Sequence, residues 1–85
     1  MKTNNAVSKL SKAGFNVSVE NPDGHISTIT ATKPGLRRFV SVVCQSGEVL
    51  SIKTVPTNDK ADILTDYFPG SYWPSLKQAI TIATA

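Results

Sequence analysis

The stretch Phe15-Asn16-Val17-Ser18-Val19-Glu20-Asn21-Pro22-Asp23-Gly24-His25-Ile26-Ser27-Thr28-Ile29-Thr30-Ala31-Thr32-Lys33 decides the fold. Phe15, Val17 and Val19 alternate with Asn16, Ser18 and Glu20, the period-two pattern of a strand with one buried face. Asn21-Pro22-Asp23-Gly24 then turns the chain. Pro22 presets φ, Asp23 tolerates the bridge region, and Gly24 suits a positive φ. Residues 25–33 read as a second strand. Ile26 and Ile29 fall on opposite faces of it, which predicts a bulge or a strand with two apolar faces. Strands joined by so short a turn are antiparallel neighbours.

Downstream, Pro34-Gly35 is a type II turn signal, and residues 37–45 read as a third strand. Phe39 and Val43 lie on one face of it, and Val40, Val42 and Cys44 on the other. Apolar residues on both faces predict a central strand, or one partly covered on its second side. Ser46-Gly47 is a two-residue hairpin signal. Residues 48–55 give a fourth strand, with Leu50 and Ile52 opposed to Ser51 and Lys53. Upstream, residues 3–13 read as a helix. Ala6, Leu10 and Ala13 fall at i, i+4 and i+7 with Val7 beside them, one narrow apolar stripe. Thr3, Asn4 or Asn5 can cap it, and Gly14 ends it.

Residues 56–62 are a polar loop, and residues 63–70 are ambiguous. Ser71 can cap a final helix with Pro74 in its first turn, where a missing N–H costs little. Trp73, Leu76, Ala79, Ile80 and Ala83 form its core-facing stripe. The order α-β-β-β-β-α predicts an α+β fold in a single domain over residues 1–85. Its sheet is a four-stranded antiparallel meander, with the N- and C-terminal helices packed on one face.

Composition narrows the function classes. The 85 residues permit one domain with one small core, burying about 60–65% of the unfolded surface. With 40% hydrophobic and 18% charged residues, the chain is globular and not disordered. Cys44 is the single cysteine, so no intrachain disulfide forms, and small secreted domains usually depend on them. The N-terminus carries no apolar run of signal-peptide length, and no stretch approaches the roughly 18–20 apolar residues of a membrane span. These features predict a cytoplasmic protein without a membrane partner.

No catalytic group, metal site or cofactor is expected. A His/Cys metal site needs three or four ligands, and one histidine, His25, with one cysteine cannot supply them. Cys44 sits among valines, where a thiol behaves as a small hydrophobe. Asp59, Asp62 and Asp66 lack the glycine and closing glutamate of a calcium loop and read as solvated loop acids. An enzyme is therefore not expected.

Two local features remain as candidate binding surfaces. Lys33, Arg37 and Arg38 flank the Pro34-Gly35 turn, with Lys53 on a nearby strand. They can meet nucleic-acid phosphate or an acidic protein surface, or serve as a solubilising hairpin tip. Four of the six aromatic residues fall within positions 67–73, too many for a small core to hide easily. Phe68 and Trp73 are expected in the core. Tyr67 and Tyr72 are candidate partner anchors, together with Arg37 and Arg38. The net charge of +3 is mild and divides into two patches: three of the nine basic residues at the hairpin, three of the six acids between 59 and 66.

The block Thr65-Asp66-Tyr67-Phe68-Pro69-Gly70-Ser71-Tyr72-Trp73-Pro74-Ser75-Leu76-Lys77-Gln78-Ala79-Ile80 resembles small accessory domains of phages and mobile elements, of the large polyvalent protein-associated type. Lys9-Leu10-Ser11-Lys12-Ala13-Gly14-Phe15 and Gly47-Glu48-Val49-Leu50-Ser51-Ile52 fit the same pattern, so the resemblance covers roughly residues 4–82. It implies a phage or plasmid context and no catalytic residue. The function expected on these grounds is non-enzymatic binding of a host or phage protein, with inhibition of a host defence complex such as CRISPR as one such role. The α-β-β-β-…-α order also resembles double-stranded-RNA-binding domains. That likeness implies the alternative, a nucleic-acid-binding module using Lys33, Arg37, Arg38 and Lys53. Four strand candidates where those domains have three, and a final helix carrying only Lys77, depart from their pattern.

Overall fold

The computed structural model describes residues 1–56 and 71–85. Helix α1 (Thr3–Lys12) is followed by strands β1 (Asn16–Glu20), β2 (Ile26–Thr32), β3 (Arg38–Gln45) and β4 (Glu48–Pro56). A short β5 (Ser71–Tyr72) and helix α2 (Leu76–Ala83) complete the order. The strands pair antiparallel in the sequence order β1-β2-β3-β4-β5. This is the α+β meander with terminal helices that the periodicity predicts, lengthened at one edge by the two residues of β5.

Register explains the core. Val19, Ile29, Val42 and Ile52 stand opposite one another across four strands, as do Val17, Ala31, Val40 and Thr54. These rows meet Ala6 and Leu10 of α1 and Leu76, Ala79 and Ala83 of α2 in a single buried cluster that includes Phe15 and Cys44. Both helices therefore cover the same face. Alanines at 6, 31, 79 and 83 let the two layers approach closely, and Leu10, Ile29 and Leu76 fill the space between them, the mix of large and small side chains that fills a core without voids. Cys44 is a fully buried free thiol.

The opposite face carries Ser18, Thr30, Ser41, Lys53 and Tyr72 in one row and Glu20, Thr28, Val43 and Ser51 in the next. Ile26 lies on this face, 44% exposed. No register shift accompanies it, so β2 is a strand with two apolar faces and not a bulged one. The bulge is in β4. Val43 opposes Ser51 while Cys44 opposes Val49, leaving Leu50 as the extra residue.

The helix ends differ from the expected caps. No side chain caps α1. The N–H of Thr3 donates instead to Gly47 O at 2.9 Å, so the hairpin between β3 and β4 satisfies one of the orphan donors of the first turn. That hairpin has Ser46 at φ 51° and Gly47 at φ 80°, the pair of positive φ values of a type I′ turn. In the β1–β2 turn the positive φ belongs to Asn21 (55°), not to Gly24. A Cβ at Gly24 would lie 1.9 Å from the Asn21 side chain and displace its amide. Asn21 Nδ2 donates to Ile26 O at 2.9 Å and fixes the turn.

Gly14, at φ 92°, closes α1 as predicted. Its N–H donates to Ser11 O, and the N–H of Phe15 to Leu10 O. These two bonds define a Schellman motif, and Phe15 and Leu10 supply its hydrophobic contact. Lys33 Nζ donates to Ala13 O at 3.4 Å and lies 5.9 Å from the centre of the Phe15 ring. A cation beside the last helical carbonyls favours the negative end of the helix dipole. Gly14→Ala forces a side chain into the left-handed region, with its Cβ 3.2 Å from Lys33 Nζ. It is expected to lower the unfolding free energy by about 1–2 kcal/mol in urea titration.

Helix α2 begins later than the expected cap implies. Its cap is Ser75, whose side chain accepts from Gln78 N at 3.2 Å; Ser71 lies in β5. Pro74 is the cause, because the residue before a proline is pushed towards extended backbone. Trp73 accordingly continues the strand direction, and its N–H donates to Ile52 O at 2.9 Å. Ser75→Ala is expected to cost about 1 kcal/mol, read by the same titration.

Candidate functional site

The two edges of the sheet are built differently. The β4 edge is fastened at both ends. At one end Val49 N donates to Met1 O at 2.8 Å, and Lys2 bridges to Glu48. The Lys2 ammonium also donates to the Glu48 carboxylate. This hydrogen bond and the charge behind it hold the Glu48 carboxyl below its ordinary pKa. At the other end β5 pairs Lys53 with Tyr72 and Thr54 with Ser71. Leu50 and Ser51 lie between these two attachments.

A groove of about 350 Å³ opens there, lined by Val49, Leu50, Ile52, Trp73, Pro74 and Leu76 among others. Trp73 anchors its wall, with Nε1 donating to the buried Thr54 Oγ1 at 3.0 Å. Leu50 on the groove is 62% exposed, and Tyr72, the neighbour of Trp73, is 60% exposed. Met1, at the far end of the groove, is 46% exposed. Of the four large hydrophobic residues exposed among the described residues, Met1 and Leu50 line this groove, and Tyr72 stands on the other face of the same edge.

Of the residues singled out in the sequence, Tyr72 is here, on the face away from the helices and in register with Lys53. Lys53 is half-buried. Arg37 and Arg38 are exposed elsewhere, lining a hollow of about 220 Å³ with Ile82 and Ala83 beside the end of α2. Tyr72 and this arginine pair therefore stand on opposite sides of the sheet. Lys33 is committed to the end of α1. Tyr67, Phe68 and the acids Asp59, Asp62 and Asp66 lie outside the described residues.

Leu50 is absent from the sequence-derived candidates. Strict alternation puts it on the face of Ile52, in the core, and the bulge turns it out. The run Val49-Leu50 after the hairpin, two apolar residues where alternation wants one, is the only local signal of this.

His25 sits in the β1–β2 turn and ties it to the neighbouring hairpin. Gln45 Nε2 lies 3.0 Å from the ring Nε2, and Ser46 Oγ lies 2.9 Å from Nδ1. The ring thus lies within hydrogen-bond distance of both side chains. Its role is to join two turns. Among the described residues no three His, Cys, Asp or Glu side chains gather to hold a metal ion, and no helix is long and apolar enough to cross a membrane. No protein-family model, curated protein or solved structure matches the chain.

Proposed function

We propose that this chain is a non-enzymatic protein-binding domain that seats its partner on the β4–β5 edge. The observation that carries this reading is the exposed Leu50 and Met1 on the groove walled by Trp73, with Tyr72 exposed on the other face of the same edge. Aromatic side chains such as Trp73 and Tyr72 are enriched among interface anchors, and the exposed apolar side chains beside the groove offer a partner surface to bury. The partner is a host or phage protein met in the cytoplasm, in keeping with the single cysteine and the resemblance to phage accessory domains. A host defence complex such as CRISPR is a partner of this kind, which a small rigid domain can block by occupying a surface.

The test is capture from nuclease-treated host lysate, comparing the native chain with L50D/Y72A and R37A/R38A. A protein retained by the native chain and by R37A/R38A but lost with L50D/Y72A supports the reading. A protein lost with R37A/R38A instead places the partner at the arginines, and capture that vanishes with nuclease moves the function to the nucleic-acid alternative. Electrostatic binding of that kind would also fall steeply with salt.

A further inference from the structure

We propose that two copies of this chain join through β1, antiparallel and with Ser18 on the two-fold axis, into one continuous sheet. β1 is the sheet edge that β5 and Met1–Thr3 do not cover. Natural edge strands are blunted by charged side chains, lysine above all, by proline, by a bulge or by being very short, and Glu20 is the one charge that the five residues of β1 carry. Asn16-Val17-Ser18-Val19-Glu20 has no lysine and no proline, and it pairs with β2 over all five residues without a register shift. Asn16, Ser18 and Glu20 are exposed, and Val17 and Val19 are only half-buried although they pack against the core.

The strand fits a second copy of itself. Antiparallel pairing about Ser18 sets Val17 opposite Val19 twice, on the helix side, and continues the apolar row of both cores. On the other side Ser18 meets Ser18, and Glu20 meets Asn16 twice, so no like charges oppose.

The charge distribution favours the same arrangement. The acids among the described residues are Glu20, Asp23 and Glu48, all at the end of the sheet that holds the β1–β2 and β3–β4 turns. Lys12, Lys33, Arg37 and Arg38 lie at the opposite end. Antiparallel pairing brings Glu20 and Asp23 of each copy towards the Lys12 and Lys33 end of the other. Two five-residue strands make a junction smaller than the interfaces of about 1,200–2,000 Å² typical of stable complexes. The dimer therefore exchanges with monomer as concentration falls, and it weakens as salt screens the facing ends.

Sedimentation equilibrium of the native chain is expected to give a mass rising with concentration towards two chains, and less so in high salt. Ser18→Lys places two ammonium groups face to face and is expected to weaken association at least tenfold. Ser18 is exposed, and circular dichroism checks that this variant is folded. Ser18→Cys gives an independent reading. Directly opposed residues in an antiparallel pair have Cα atoms about 4.5–5.5 Å apart, within disulfide reach. Mild oxidation with oxidised glutathione should link Ser18→Cys chains in pairs and leave Lys77→Cys chains single. A native chain of single mass at every concentration overturns the proposal. So does Ser18→Lys that associates like the native chain, or Ser18→Cys that links no faster than Lys77→Cys.

Discussion

Replacing Trp73 with alanine is expected to destabilise the domain by about 3 kcal/mol, the lower end for loss of a large aromatic because the ring is only half-buried. A chain of 85 residues has a total stability of about 4–13 kcal/mol, so this one change removes a large share of it. The size of the effect follows from what Trp73 joins. Its ring packs against the core between β4 and α2, its backbone N–H extends the sheet on Ile52, and its Nε1 satisfies Thr54 Oγ1. Thermal unfolding should shift by about 4–8 °C for each kcal/mol lost. Trp73→Phe separates these contributions. It keeps a ring but leaves the Thr54 hydroxyl, 2% exposed, without its donor, at a cost of about 1–3 kcal/mol. Removing both polar partners together is far less costly than orphaning one, so W73F/T54V should recover part of the W73F loss. If the double variant is less stable than W73F, the Trp73–Thr54 hydrogen bond is not what the single change removes.

Trp73 also shows where sequence can be read and where it cannot. Helical periodicity groups Trp73 with Leu76, Ala79, Ile80 and Ala83; the last four do line α2, but Trp73 lies ahead of the helix and reaches the core from extended backbone. The same logic gives four strands, the two-sided β3 and the Ser46-Gly47 hairpin. The start of α2 does not follow as easily. Both Ser71 and Ser75 are chemically able to cap, and the choice rests on Pro74 forcing Trp73 to stay extended. The cap of α1 is not local at all, since the acceptor for Thr3 N–H is the carbonyl of Gly47. For the candidate site the difficulty is register. Alternation assigns every second residue to a face until one extra residue is inserted, and then everything beyond it changes side. Leu50 is such a residue, so a side chain assigned to the core becomes the most exposed of the large hydrophobics. Arg37, Arg38 and Tyr72 are each exposed, and for Tyr72 the sequence leaves core and surface open. Only the strand register shows that the arginines and Tyr72 face different sides.

Leu50→Asp is expected to leave the fold nearly unchanged and to abolish partner binding. An exposed side chain at a bulge contributes little to folding, and substitutions at such positions usually stay within about 0.5 kcal/mol. Binding responds differently. A leucine exposed at the mouth of the groove is desolvated only when a partner covers it, and a carboxylate placed there must then be buried without a counter-charge. Loss of a central anchor typically costs about 2 kcal/mol or more, a drop in affinity of about thirtyfold. Tyr72→Ala, which removes a ring 60% exposed, should act in the same direction with an unchanged unfolding midpoint. The dissociation between the two measurements is what identifies a surface used for recognition, because Trp73→Ala lowers both and Leu50→Asp lowers only one. A Leu50→Asp chain that unfolds several degrees below the native one would place Leu50 in the packing of the domain. One that keeps full affinity for a captured protein would place the partner off the β4–β5 edge.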